Sequence, residues 1–320
     1  MTKERYKRNE NKKFRKLAPI KYISAIIAVI IGAYELRSLE LQREVNAWTL
    51  LTANASGNSG KGKALEYLNS EFACLGFNWL PDGVSKYIWH KNSASKKICW
   101  KEAAMLSGIE ITPNGGGEGA YLQNINMESS VFSNALFVKA QLEFSNFDSS
   151  MIFDSKYISS GMANTSFNEA WLHNTMFDGT SLRDCSISRT DLYRSQFSRT
   201  AMVACSVQAS TVRDTTFIKS DLSGVKFNDS KFSGNVSFRH SLIEGADFTG
   251  ASGLTKEHFK GAWVYNDPNS VLGIPEHVRE ALRICSYQSN GFRFAVDFAL
   301  GKWREWPLDA NGCPIPHSSP

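Results

Sequence analysis

AWLHNTMFDGTSLRDCSISRTDLYRSQFSRT, residues 170–200, decides the fold. Every fifth residue is large and apolar: Leu172, Phe177, Leu182, Ile187, Leu192, Phe197. Two places before each stands a small residue: Ala170, Thr175, Thr180, Cys185, Thr190, Ser195. Followed outward both ways, the apolar column runs from Leu122 to Phe232, 23 positions without an exception. With 42% hydrophobic residues, chance gives such a run with a probability on the order of 10⁻⁹. The small column covers the same stretch, and Ile125 is its one bulky early member.

A period of five fits neither a helix nor a flat strand. It fits a chain that turns a corner every five residues, with one large and one small side chain facing inward. Ser and Thr in the small column can bond neighbouring backbone groups, so their polarity is tolerated inside. Four sides make a coil of about 20 residues, since only like shapes stack well in register. At that step Phe137, Tyr157, Phe177, Phe197 and Phe217 are all aromatic, whereas Leu122, Leu142, Met162, Leu182, Met202, Leu222 and Leu242 include no ring. These columns are the expected structural core. The frame falters near the end. Ser237 takes a central place, Leu242 restores the frame, and Ala246-Asp-Phe248 shifts it by one, while Asn235 and His240 replace small residues. A bulge or a looser last coil is expected there.

Residues 120–250 resemble the pentapeptide-repeat family, whose unit places a small residue two before a central Leu or Phe. The resemblance implies a mainly β fold, a right-handed quadrilateral β-helix. It also implies an exit into a helix near Thr255–Ala262 that covers the open end. A second short helix is expected from Pro275 to about Ile284, with Pro in its first turn and Glu276 beside it. Residues 57–69, GNSGKGKALEYLN, resemble a segment of membrane-anchored bacterial members, and Ala64 to Phe72 reads as helical.

Charge is lopsided. Residues 1–21 hold nine Lys/Arg against two Asp/Glu, and residues 22–320 hold 27 against 29. The basic excess is therefore a tail rather than a nucleic-acid surface. Behind it, residues 18–34 carry one charge, Lys21, and the run Ile23-Ser-Ala-Ile-Ile-Ala-Val-Ile-Ile31. Extended by Leu17 and Leu36, and with Lys21 snorkelling, that run suits a membrane-spanning helix. A cleaved signal peptide fits poorly, because Ile31 would stand at −3 from Ala33. The positive-inside rule puts the N-terminus in the cytoplasm and the main body outside the inner membrane. Beyond the run, Tyr34, Leu41 and Trp48 share heptad spacing with Ser38 and Val45 between them. An amphipathic helix and a short dimerising coiled coil both fit. The expected division is a basic tail (1–17), a transmembrane anchor (18–36), a helical linker and insert (37–118), the repeat (119–250), and capping helices with a tail (251–320).

Signs of chemistry are lacking. Ala55 and Gly62 stand where a phosphate-binding loop needs glycine and a hydroxyl, and Gly115-Gly-Gly-Glu-Gly119 has no βαβ unit around it. The histidines are scattered, no Cys-x-x-Cys or His-x-x-x-His occurs, and no nucleophile–base set is legible. No catalytic, cofactor or metal residue is therefore assigned, and no enzyme is expected. Cys185 and Cys205 read as small buried hydrophobes. Cys74 with Cys99, and Cys285 with Cys313, form two local pairs that an exported body could oxidise. Arg183, Arg189, Arg194 and Arg199 lie among Asp184, Asp191 and Asp214, which reads as a salt-bridged surface. The expected role is a membrane-tethered scaffold with an unknown protein partner. The alternative is a DNA-mimicking topoisomerase-binding protein. It is disfavoured by the anchor and by a repeat with only 11 Lys/Arg against 13 Asp/Glu.

Overall fold

The computed structural model describes residues 27–28, 31–32, 34–35, 38–39, 41–52, 60–69, 75–76, 97–98, 105–113, 119–265, 267–285 and 313. It divides into two units, 1–46 with 73–100, and 47–72 with 101–320. In the first, the described residues up to 46 are helical. Ile27, Ile31, Tyr34, Leu39 and Leu41 are each at least half exposed. Strands β1 (Leu75–Gly76) and β2 (Lys97–Ile98) pair antiparallel, Leu75 opposite Ile98. Most of the expected anchor, together with Cys74 and Cys99, lies outside the described residues. Among those described, no helix is long and apolar enough to cross a membrane.

The second unit is a four-sided β solenoid. Its first face is a seven-stranded parallel sheet: β3 (Met105–Ser107), β5 (Val131–Ser133), β7 (Met151–Phe153), β9 (Trp171–His173), β11 (Asp191–Tyr193), β13 (Thr211–Arg213) and β15 (Lys231–Ser233). Its second is a six-stranded parallel sheet: β4 (Glu110–Ile111), β6 (Leu136–Val138), β8 (Lys156–Ile158), β10 (Met176–Asp178), β12 (Gln196–Ser198) and β14 (Thr216–Ile218). The third and fourth faces are ladders of single bridges, Gln141–Gly161–Ser181–Ala201–Asp221 and Asn146–Ser166–Ser186–Ser206–Lys226. Each step is 20 residues.

The two inward columns explain the coil. Phe137, Tyr157, Phe177, Phe197 and Phe217 stack on the second face with centroids 4.9–5.0 Å apart and planes within 9°. The expected core residues Leu142, Leu182 and Leu222 are fully buried on the third. Hydroxyls of the small column donate to carbonyls of the coil below: Thr165 to Leu142 (2.9 Å), Thr180 to Tyr157 (2.9 Å), Thr200 to Phe177 (2.9 Å), Ser220 to Phe197 (2.9 Å). Corners are made two residues after each central one, in the left-handed region. There φ is 52° at Asn174 and 55° at Arg194, which accounts for the Asn, Asp and Gly found at these places.

The late break is a single inserted residue. Gly234 (φ 69°) and Asn235 bulge, and the ladder steps by 21 to pair Thr216 with Ser237 and Asp221 with Leu242. The inward positions become Phe238, Ile243 and Phe248, all fully buried. Leu242 therefore does not restore the frame; it packs outside the main core with Trp263 and Cys285. Val236 and Ser241 occupy the small column in place of Asn235 and His240.

The ends also differ from expectation. The sheets begin at β3, one coil before residue 119, because Leu106 lies under Phe132, a step of 26 residues. The helix of the linker is Lys61–Asn69. Its Ala64, Leu65 and Leu68, with Ala47 and Leu51, join the solenoid core, and Trp48 packs against it. Glu66 Oε1 accepts from Asn126 N (3.0 Å), and Asn69 Nδ2 donates to Glu128 O (3.1 Å). At the other end only Lys256–Phe259 is helical, as a 3-10 turn. The second helix is Glu276–Arg279. Residues up to Ile284 are not helical, since β17 (Arg283–Cys285) pairs in parallel with β16 (Trp263–Tyr265) and carries the ladder on.

Candidate interaction face

The interior offers no room for chemistry. Its central side chains are almost all 0% exposed, and among the described residues no three His, Cys, Asp or Glu gather to hold a metal. Among the described residues two inward side-chain hydroxyls have no partner, Ser130 Oγ in the small column and the Tyr157 hydroxyl in the ring stack, and burial pushes the Tyr157 phenol above the ordinary tyrosine range. Tyr157→Phe is therefore expected to stabilise the fold by about 1 kcal/mol, because a desolvated unpaired hydroxyl is removed at constant shape. Thermal unfolding of the two proteins checks this.

The solenoid can meet other molecules through its outer faces, and the four are unlike. On the third, even the outward Ser181, Ala201 and Asp221 are buried. Burial raises the Asp221 carboxyl, against hydrogen bonds from Ser223 and the charge of Arg183. The fourth face spends its polar groups on itself. Asp148 Oδ1 accepts from Asn168 N (2.7 Å) and the Ser166 hydroxyl, and Asn168 Oδ1 accepts from Ser186 Oγ (2.6 Å) and Ser188 N (2.9 Å). The second face alternates exposed Lys156 and Gln196 with half-buried aliphatics.

The first face carries rings outward. Strands present residues before and after the buried central one to solvent, and here those are Met151 and Phe153, Trp171 and His173, Asp191 and Tyr193, Thr211 and Arg213. Trp171 is 52% exposed and Met151 37%. Phe153, His173 and Tyr193 stand edge to face in a column with centroids 5.6 Å apart, and Trp171 stacks beside His173. His173 Nε2 meets Asp191 Oδ2 at 3.1 Å. The guanidiniums of Arg213 and Arg194 lie 4.1 and 4.9 Å from the Tyr193 ring centroid.

The four arginines singled out in the sequence do not form one patch. Five-residue turns send them to different sides of the coil. Arg189 pairs with Glu169 (2.7 Å) and Arg199 with Asp178; neither uses Asp184, Asp191 or Asp214. Arg194 lies on Tyr193 instead. The outward aromatics were not picked out by the period, which tracks only inward positions. Their signal was available one place before and after the central column, at Trp171, His173 and Tyr193.

Of the cysteines, Cys185 and Cys205 are bonded rather than merely packed. Stacking of one column brings their Cα atoms to 4.6 Å, within disulfide reach. Cys285 and Cys313 are bonded across 28 residues with Cα atoms 5.6 Å apart. All six cysteines of the sequence are thus either in these two bonds or, as Cys74 and Cys99, outside the described residues.

A stacked, four-sided coil built on five-residue units defines the class: this region is a pentapeptide-repeat solenoid. The family model described as pentapeptide repeats matches eight copies at residues 118–150 and 162–202. Among solved structures, the chain is similar to HetL, a pentapeptide repeat protein involved in heterocyst differentiation regulation from the cyanobacterium Nostoc sp. strain PCC 7120 (15% identity, 51% of this chain and 76% of that one, TM-score 0.38). It is also similar to full-length QnrB1, a plasmid-mediated fluoroquinolone resistance protein (18% identity, 50% and 91%, TM-score 0.23). A third is a pentapeptide repeat protein from the Arabidopsis thaliana thylakoid lumen (22% identity, 32% and 66%, TM-score 0.21). No curated protein matches the sequence.

Proposed function

We propose that this protein is a non-catalytic interaction module, tethered to the inner membrane by its N-terminal segment, that presents the solenoid outside the cytoplasm to a protein partner. The observation that carries the reading is the contrast between a filled interior and an outward row made of the Met151 side chain and the rings of Phe153, Trp171, His173 and Tyr193. Filled solenoids leave only their faces for function, and exposed rings beside arginine have the composition of binding hot spots. The tether rests on the apolar run at 23–31 behind nine basic residues, and the exposed apolar side chains at Ile27 and Ile31 are consistent with lipid around them. DNA mimicry is not favoured, since the repeat carries nearly as many cations as anions.

Two measurements test this reading. A reporter active only after export, fused after Pro320, is expected to be active, and a silent one places the solenoid in the cytoplasm. A photo-reactive amino acid at Trp171, Gln196 or Gln141, on three different faces, is expected to yield a discrete protein adduct in cells from at least one position. Adducts from none of the three would sink the module reading.

A further inference from the structure

We propose that the first face docks an extended, carboxylate-bearing segment of the partner protein, its acid held by Arg194 and Arg213 and its apolar side chain laid on Trp171 and Met151. The inference deepens the interaction-module reading and rests on it.

The argument is one of complementarity. Each carboxylate on or beside this face has one oxygen engaged: Asp191 Oδ2 by His173 Nε2 at 3.1 Å, Asp154 Oδ1 by Asn174 Nδ2 at 2.5 Å, and Asp214 Oδ1 by the backbone N of Asn235 at 2.9 Å. Asp191 Oδ1 has no partner but is shielded from solvent. The donors are not engaged. Arg194 and Arg213 are exposed, and neither makes an ion pair or hydrogen bond with a described side chain. Each guanidinium lies near the ring of Tyr193. The ring neutralises little of the charge and leaves N–H edges to turn outward in a fork that fits a carboxylate. Two such forks over one ring form a cationic end.

The other end is apolar. Met151 and Trp171 are the exposed pair, with Phe153 and His173 beside them. Coils stack at ~4.8 Å, so Trp171 lies one coil from Arg194 and two from Arg213, about 5–10 Å along the stack. An extended segment spans that with an acid two or three residues from a large apolar side chain. A single-stranded nucleic acid would also stack on Trp171. It would, however, carry a phosphate past Asp154 and Asp191 at every nucleotide, whereas a peptide brings its charge only to the arginines.

A random twelve-residue peptide library displayed on phage, selected against the full chain, tests the inference. Enriched peptides are expected to place Asp or Glu within three residues of a large apolar residue. Their synthetic forms are expected to bind Arg194→Gln/Arg213→Gln and, separately, Trp171→Ala at least tenfold more weakly, with the thermal melting of both variants unchanged. These side chains lie outside the core, so the variants keep the fold. No enrichment, enrichment without acids, or affinity unchanged in both variants overturns the proposal. So does arginine-dependent binding of an oligo-dT probe in place of peptides. A cellular adduct from Gln196 or Gln141 combined with any of these failures leaves the interaction module standing and removes this face from it.

Discussion

Phe177→Ala is expected to cost about 3–5 kcal/mol of folding stability. The ring is fully buried. It stacks on Tyr157 at 5.0 Å and under Phe197 at 4.9 Å, and its edge contacts Phe167 at 6.0 Å. Removing it opens a cavity between two coils that cannot move together, because each is fixed by backbone bonds on four sides. In a solenoid, stability is close to a sum of unit and nearest-neighbour contributions, so a gap in mid-stack weakens two interfaces at once. The outward comparison is Gln196→Ala, expected within about 0.5 kcal/mol because its side chain is exposed. Asn174 is a poor comparison despite facing outward. Its φ of 52° and its bond to Asp154 give alanine there a cost of its own. Denaturant unfolding of the three proteins reads the difference. A loss at Phe177 no larger than at Gln196 would mean that the ring is not in the core.

The reason so much of the fold was legible is that a coil of fixed length writes its interior into the sequence at fixed intervals. Twenty-three positions from Leu122 to Phe232 gave the inward column, and the step of 20 gave the ring stack. Legibility ended where the step changed. At Leu242-Ile243 both residues are apolar, so the pattern could place either inside. Only the backbone insertion at Gly234-Asn235 makes Ile243 the inward one. The coil through Leu106 and Ile111 was missed for the same reason, since a step of 26 breaks the period that would have disclosed it. The cover formed by Leu65 and Leu68 depends on a helix meeting an open coil end, a contact between segments with no common period. At the C-terminus, Pro275 and Glu276 did mark a helix start, but Arg283–Cys285 was drawn into the parallel ladder by Trp263–Tyr265, a tertiary pairing that overrode local preference.

The candidate site was less legible than the core. Inward residues obey packing, and packing obeys the period; outward residues obey neither. Trp171, His173 and Tyr193 are scattered in the sequence at intervals shared by polar residues on other coils. Their meaning appears only when coils are stacked and Phe153, His173 and Tyr193 fall into one column. Arg194 reads as one of four arginines in sequence, and its place over Tyr193 follows from which corner it turns.

Thr180→Leu is expected to be the second most damaging change, at roughly 2–5 kcal/mol, through two separable causes. Thr180 is fully buried in the small column, where the corners of a coil crowd the interior and a longer side chain must push a neighbouring strand. Overpacking of this kind costs about 1–3 kcal/mol. The substitution also withdraws the hydroxyl that donates to Tyr157 O at 2.9 Å. A buried carbonyl that loses a donor costs about 1–3 kcal/mol when nothing replaces it. Thr180→Val keeps the branched shape and removes only the donor, so it isolates the hydrogen bond at about 1–2 kcal/mol. Thr180→Ser keeps the donor in a smaller side chain and is expected to cost less than either. The order Ser, Val, Leu in increasing loss, read by thermal or denaturant unfolding, is the signature of a position limited by both volume and hydrogen bonding. A leucine variant as stable as the valine variant would show that the interior at this corner has room to spare. The case for a completely filled solenoid, and with it the argument that function lies on the outer faces, would fall.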